Sequence, residues 1–174
     1  DPNAARTDNG KTSVYIASKY GHLDVVRELL DRGANPNMAK TDNGSTPLLK
    51  ASKKGHLDVV RELLDRGADP NTGLMDLGVT PVYMASQEGH LAVVGVLLDR
   101  GANPNTATTF TGVTPLWIAS WAGHLAVVRE LLAQRSDPNA TNRNGYTPLD
   151  IAKEEGHMAV VQLLIEAGAY QSPQ

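Results

Sequence analysis

The sequence predicts an all-α repeat solenoid built from helix-turn-helix units. Three observations carry that prediction. The five His, at 22, 56, 90, 124 and 157, each follow a Gly and are spaced by 34, 34, 34 and 33 residues. The same register holds Thr12, Thr46, Thr80, Thr114 and Thr147, and Ala17, Ala51, Ala85, Ala119 and Ala152. Nine of the 10 Pro fall in two columns of it, with Pro173 outside.

The repeats run 1–34, 35–68, 69–102, 103–136 and 137–169, a single domain followed by a tail over 170–174. Within repeat two, Thr46 suits an N-cap and Pro47 the first helical position. Leu48 and Ala51 then face inward, and Gly55 ends a short first helix. A second helix starts near Leu57. Its Val59, Val60, Leu63 and Leu64 form one apolar stripe. Gly67 stops it as a left-handed cap, and Asp69-Pro70-Asn71 cannot continue it. Asp42-Asn43-Gly44 reads as a tight turn before the Thr-Pro pair. Two short helices cannot bury their faces alone, so neighbouring repeats must stack.

With 174 residues, 41% hydrophobic and 20% charged, the composition is that of a soluble globular chain. No apolar run approaches the roughly 20 residues that span a bilayer, so no membrane partner is expected. The chain has no Cys, which removes disulfides and thiolate chemistry and suits a reducing compartment such as the cytoplasm. The net charge of −3 argues against a nucleic-acid partner.

Gly44-Ser-Thr-Pro-Leu, the run from Ala51 through Gly55-His56 to Leu64, and Gly67-Ala-Asp-Pro-Asn71 together resemble an ankyrin repeat, five times in register across 1–169. That resemblance implies antiparallel helix pairs with β-hairpin finger loops at one edge. It also implies a concave face of fingers and first helices that binds other proteins, without catalysis. Several positions depart from the family pattern. Tyr15, Leu49, Tyr83, Trp117 and Asp150 stand where the family carries a His bonded near the Thr, so that bond is expected to be lost throughout. Arg135-Ser136 replaces Gly-Ala, and a left-handed Arg135 costs about 1 kcal/mol relative to Gly. The opening Asp1-Pro2-Asn3 is a loop column, so repeat one either caps itself or follows another repeat. The stretch from Leu63 to Asn71 resembles a context that asparaginyl hydroxylases modify, but a loop-stabilising Asn71 is the favoured reading.

Neither catalysis, a cofactor nor a metal is expected. All five His share one column, so stacking spaces them on the order of 10 Å apart. Metal ligands must converge within about 2 Å of one ion. Glu154 and Glu155 read as a solvated helix face.

The differences between repeats are more informative. Residues 21–34 and 55–68 are identical, whereas 7–20 and 41–54 differ at six positions. The second helix is therefore framework, and the finger and first helix vary. Seven of the eight aromatics lie in that varying part, Tyr15 among them. The predicted partner-binding residues are Lys11, Tyr20, Lys50, Lys53, Lys54, Leu77, Val79, Tyr83, Phe110, Val113, Trp117, Trp121 and Tyr146. Their densest cluster is in repeats three and four, where Tyr83 and Trp117 read equally well as filling between repeats. Lys11, Lys19, Lys40, Lys50, Lys53 and Lys54 crowd repeats one and two, and Asp150, Glu154 and Glu155 lie at the other end. Lys50 stands in a column otherwise filled by Ile16, Met84, Ile118 and Ile151, so it should snorkel to the concave surface. The expected partner is a protein with an apolar centre and an acidic edge, bound by a monomer. The rival readings are an engineered or consensus-derived scaffold without a natural ligand, and a spacer within a larger protein.

Overall fold

A computed structural model describes residues 1–5 and 10–170. They form ten helices: α1 (Ser13–Tyr20), α2 (Leu23–Asp31), α3 (Pro47–Lys54), α4 (Leu57–Asp65), α5 (Pro81–Gln87), α6 (Leu91–Asp99), α7 (Pro115–Trp121), α8 (Leu125–Ala133), α9 (Pro148–Glu154) and α10 (Met158–Glu166). Each odd-numbered helix pairs with the even-numbered one that follows it, and the pairs stack in chain order.

One device starts every odd helix. The Thr before it is extended, and its hydroxyl accepts the N–H three residues on, at 3.1 to 3.3 Å. Pro fills the first helical position in four repeats, where no N–H is required, and Ser13 stands there in repeat one. In repeat five Asp150 adds a second bond. Its Oδ2 accepts from the Thr147 N–H at 2.9 Å and from the Thr147 hydroxyl at 2.8 Å. The expectation that every repeat lacks a side-chain bond to its Thr is corrected there, because a carboxylate accepts where the family's His would.

The turn between paired helices is fixed by its Gly. Gly21 has φ 74, and an added Cβ would lie 2.7 Å from the His56 ring. Gly55, Gly89 and Gly123 stand in the same relation to His90, His124 and His157. Each is required both by a left-handed backbone and by the neighbour's ring.

The odd helices pack against one another more extensively than the even ones do. The buried pairs Ala17-Ser18, Ala51-Ser52, Ala85-Ser86 and Ala119-Ser120 permit that approach. A stack that is tighter on one side curves toward it, which makes the odd helices the inner face. Between the layers runs one continuous core, including Val26, Val60, Leu63, Val94, Leu97, Val128, Leu131 and Leu164. Exposed Arg135 takes φ 63, as its column requires.

The loops after the even helices are tied from repeat to repeat by Asn. The Asn71 amide donates to the Gly101 carbonyl at 3.0 Å, and its Oδ1 accepts from the Asn103 N–H at 2.8 Å. Asn3, Asn37, Asn105 and Asn139 do the same in their own repeats. The Asn column is thus structural. The finger loops close hairpin-fashion, with Lys40 N–H to Ser45, Leu74 to Val79 and Thr108 to Val113 carbonyls at 2.9, 2.9 and 3.0 Å. They stop short of a strand ladder among the described residues. From repeat two onward, one backbone bond joins each finger to the next, from the Met75 N–H to Asn43, from Thr109 to Leu77 and from Arg143 to Thr111.

Candidate protein-binding face

The inner face is assembled from the ends of odd helices and the tips of fingers. Trp121 closes α7 and is exposed, with its indole N–H donating to Glu155 Oε1 at 3.1 Å. Trp117, one turn earlier, is half-buried, and its indole N–H donates to the Tyr146 carbonyl at 3.1 Å. Both donors are thereby satisfied within the chain. The rings are held in place and what they present is apolar surface. Tyr83 is half-buried beside them, and burial raises its phenol above the ordinary range. Phe110 at the tip of the repeat-four finger is 64% exposed, and Leu77, Tyr146 and Tyr20 are exposed as well.

Val113 departs from the expected cluster. It is only 7% exposed, and its N–H and carbonyl are both bonded to Thr108, so it offers no surface to a partner. Val79 is half-buried. Tyr15, one of the varying aromatics, is also buried and belongs to the core.

Leu77 owes its position to a feature that the column pattern does not reveal. Asp76 has φ 64, and the Leu77 N–H donates to the Met75 carbonyl at 2.8 Å. This is a three-residue turn of the strained kind. The corresponding Asp42 does not take a positive φ. Asp tolerates the left-handed region better than most residues, and no other signal in the sequence marks the turn.

The basic end lies over repeats one and two. Lys19 Nζ donates to the Tyr20 hydroxyl oxygen at 3.1 Å, and this bond, with the nearby charge of Lys19, Lys11 and Lys54, holds the phenol below its ordinary range. Lys50 is half-buried and makes no ion pair among the described residues. Burial first, and then Lys53, Lys19, Lys40 and Lys54, push its ammonium below the usual value. Lys53 lies 3.9 Å from Glu88, a loose pair, and Lys54 is exposed. Lys40 is spent on Asp42 at 2.7 Å, and Lys11 is half-buried. At the far end Asp150 is engaged in capping, which leaves Glu154 and Glu155 as the exposed acids.

The His are structural parts of this face. Nε2 of His56, His90, His124 and His157 bonds the carbonyls of Lys19, Lys53, Gln87 and Trp121 at 3.0 to 3.2 Å. No group of three or more His, Asp or Glu among the described residues is placed to hold a metal. A family model described as ankyrin repeats matches the chain in three overlapping copies, over 1–74, 37–108 and 83–174. The chain belongs to the ankyrin repeat family. Ankyrin repeats are generally protein–protein interaction modules on a non-enzymatic fold. No curated protein matches this ankyrin array across its sequence. No helix among its described residues is long and apolar enough to cross a membrane.

Proposed function

We propose that this ankyrin array binds a partner protein on its inner face, through finger tips and odd helices. The observation that carries the reading is the placement of Phe110 and Trp121. Large aromatics are exposed there while the core is already filled by Leu, Val and Ala. Aromatic anchors on a rigid frame are what binding surfaces use to gain affinity at low entropic cost. Trp117 and Tyr83 supply the half-buried floor, and Leu77 and Tyr146 flank it. Lys50, Lys53 and Lys54, with Lys11 and Tyr20 nearby, suit an acidic edge on the partner. Glu154 and Glu155 suit a basic one. The charges would set orientation and association rate more than affinity.

The test is a pull-down with the intact chain beside a Phe110→Ala/Trp121→Ala variant of verified fold. A protein held by the first and released by the second supports the reading. Equal retention by both favours the scaffold or spacer reading.

A further inference from the structure

Lys50, Lys53 and Lys54 stand three and four residues apart on α3, so their side chains share one flank of that helix. On α1, packed alongside, Lys19 and Tyr20 hold the columns of Lys53 and Lys54. Four ammoniums and a phenol therefore gather at one place on the inner face. Its centre, α3, has a repeat packed on either side, so the grouping is set within the array.

Little in the chain balances this charge. Among the described residues Lys50 and Lys54 make no ion pair, Lys19 bonds the Tyr20 hydroxyl, and Glu88 stands 3.9 Å from Lys53. Helix C-termini favour cations, which accounts for Lys19, Lys53 and Lys54 in their last turns. It does not account for Lys50, at the middle of α3. That ammonium is half-buried in a column that Ile16, Met84, Ile118 and Ile151 otherwise fill. Burial, and then the charge of Lys53 and Lys19, disfavours its protonated form. The fold thus keeps a charge that an apolar residue would remove, and the counter-charge must come from outside the chain.

Tyr20 adds a donor. Its hydroxyl oxygen accepts from Lys19 Nζ at 3.1 Å, and the same ammonium lies 4.7 Å from its ring centroid. The phenol O–H is left to donate, and the residue is 57% exposed.

The type of donor chooses among anions. A carboxylate balances one ammonium and is matched best by the planar fork of Arg. The group here is all Lys, whose heads are compact point charges with freely turning donors. A phosphomonoester brings close to two negative charges and three acceptor oxygens to one point.

We infer that this corner of the inner face receives a phosphoserine or phosphothreonine of the partner protein. Lys50, Lys53 and Lys19 would grip the phosphoryl oxygens, the Tyr20 hydroxyl would donate to one of them, and Lys54 would add to the attracting field. The inference rests on the inner face being the protein-binding face. Capture of the partner would then depend on its phosphorylation. A lipid headgroup offers the same phosphate chemistry, but a flat bilayer does not follow a face that curves inward.

The test is an NMR titration of the labelled chain, at constant ionic strength, with N-acetyl-phosphoserine amide up to about 20 mM. The N-acetyl-glutamate and N-acetylserine amides serve as comparison. The phosphoserine compound should shift the signals around Lys19, Lys50 and Lys53 and saturate in the millimolar range. The glutamate compound should bind about fivefold or more weakly, and the serine compound should not bind. Lys50→Ile should weaken binding about tenfold and Tyr20→Phe about threefold. Arg61→Gln removes an equal charge from the exposed side of α4 and should leave binding unchanged. Phe110→Ala/Trp121→Ala should bind the compound as the parent does, so failure of the aromatic reading and failure of this one are separate results. Equal binding of the phosphoserine and glutamate compounds overturns the inference. So do the absence of shifts at these lysines and full-strength binding by Lys50→Ile. Capture by vesicles of phosphatidylcholine and phosphatidylinositol bisphosphate that is lost in Lys50→Ile would assign the site to a lipid headgroup and overturn it as well.

Discussion

The imidazole of His90 meets the main-chain carbonyl of Lys53 at 3.2 Å, across the junction between repeats two and three. A carbonyl only accepts, so Nε2 carries the proton. The ring also fills the space over Gly55. Removing it deletes a hydrogen bond, leaves the helix-end carbonyl without that partner and opens a gap. His90→Ala should cost about 1–3 kcal/mol of unfolding free energy, read from urea titration. His22→Ala is the internal control. Its ring makes no such bond among the described residues, so its midpoint should stay within about 0.5 kcal/mol of the parent. Equal losses at both positions would contradict this role for the column.

Arg135 holds a left-handed backbone, φ 63, where Gly33, Gly67, Gly101 and Gly168 stand in the other repeats. Arg135→Gly should stabilise the chain by about 1 kcal/mol, seen as a higher melting temperature. The Asn ties differ in length from junction to junction, and Asn139 reaches the Gly168 carbonyl at 3.3 Å. The Asn105 amide reaches the Arg135 carbonyl at 3.4 Å, whereas Asn71 reaches Gly101 at 3.0 Å. Asn71→Ala should therefore cost about 1–2 kcal/mol and Asn105→Ala less, compared by denaturant titration in one buffer.

The columns of repeated residues made much of this legible. Thr12 and its equivalents cap odd helices, Gly55 and Gly67 stop helices, and Arg135 is left-handed, each because a local rule depends on residues within one turn. What the columns hide is set by partners far along the chain. Periodicity places His56 beside Gly55 but does not indicate that its ring bonds a carbonyl 37 residues earlier. Phe110 and Val113 are three residues apart in one finger, yet one is 64% and the other 7% exposed. The fold of the finger decides that: the Val113 N–H donates to the Thr108 hydroxyl and its carbonyl accepts from the Thr108 N–H. Trp117 offered filler and anchor as equal readings. Its ring is half-buried and tied to the Tyr146 carbonyl, which neither periodicity nor residue type indicates.

Lys50 gives the last prediction, and its sign can be worked out from the shift. Burial and the neighbouring lysines lower its folded-state pKa below the ordinary 10.5. Between the folded value and 10.5 the unfolded chain holds more protons than the folded one, so stability rises with pH across that window. Below the window Lys50 is charged in both states and its charge penalises folding in full. Lys50→Ile removes the charge and restores the apolar type of Ile16, Ile118 and Ile151. It should raise the melting temperature at pH 7 by about 1–3 °C, a modest gain because the side chain keeps contact with water. The gap between variant and parent should narrow as the buffer approaches pH 10.5, where the parent sheds its ammonium on folding. Melts of both proteins at neutral and alkaline pH separate this from packing. A gap that stays constant would assign the whole gain to the new aliphatic contact.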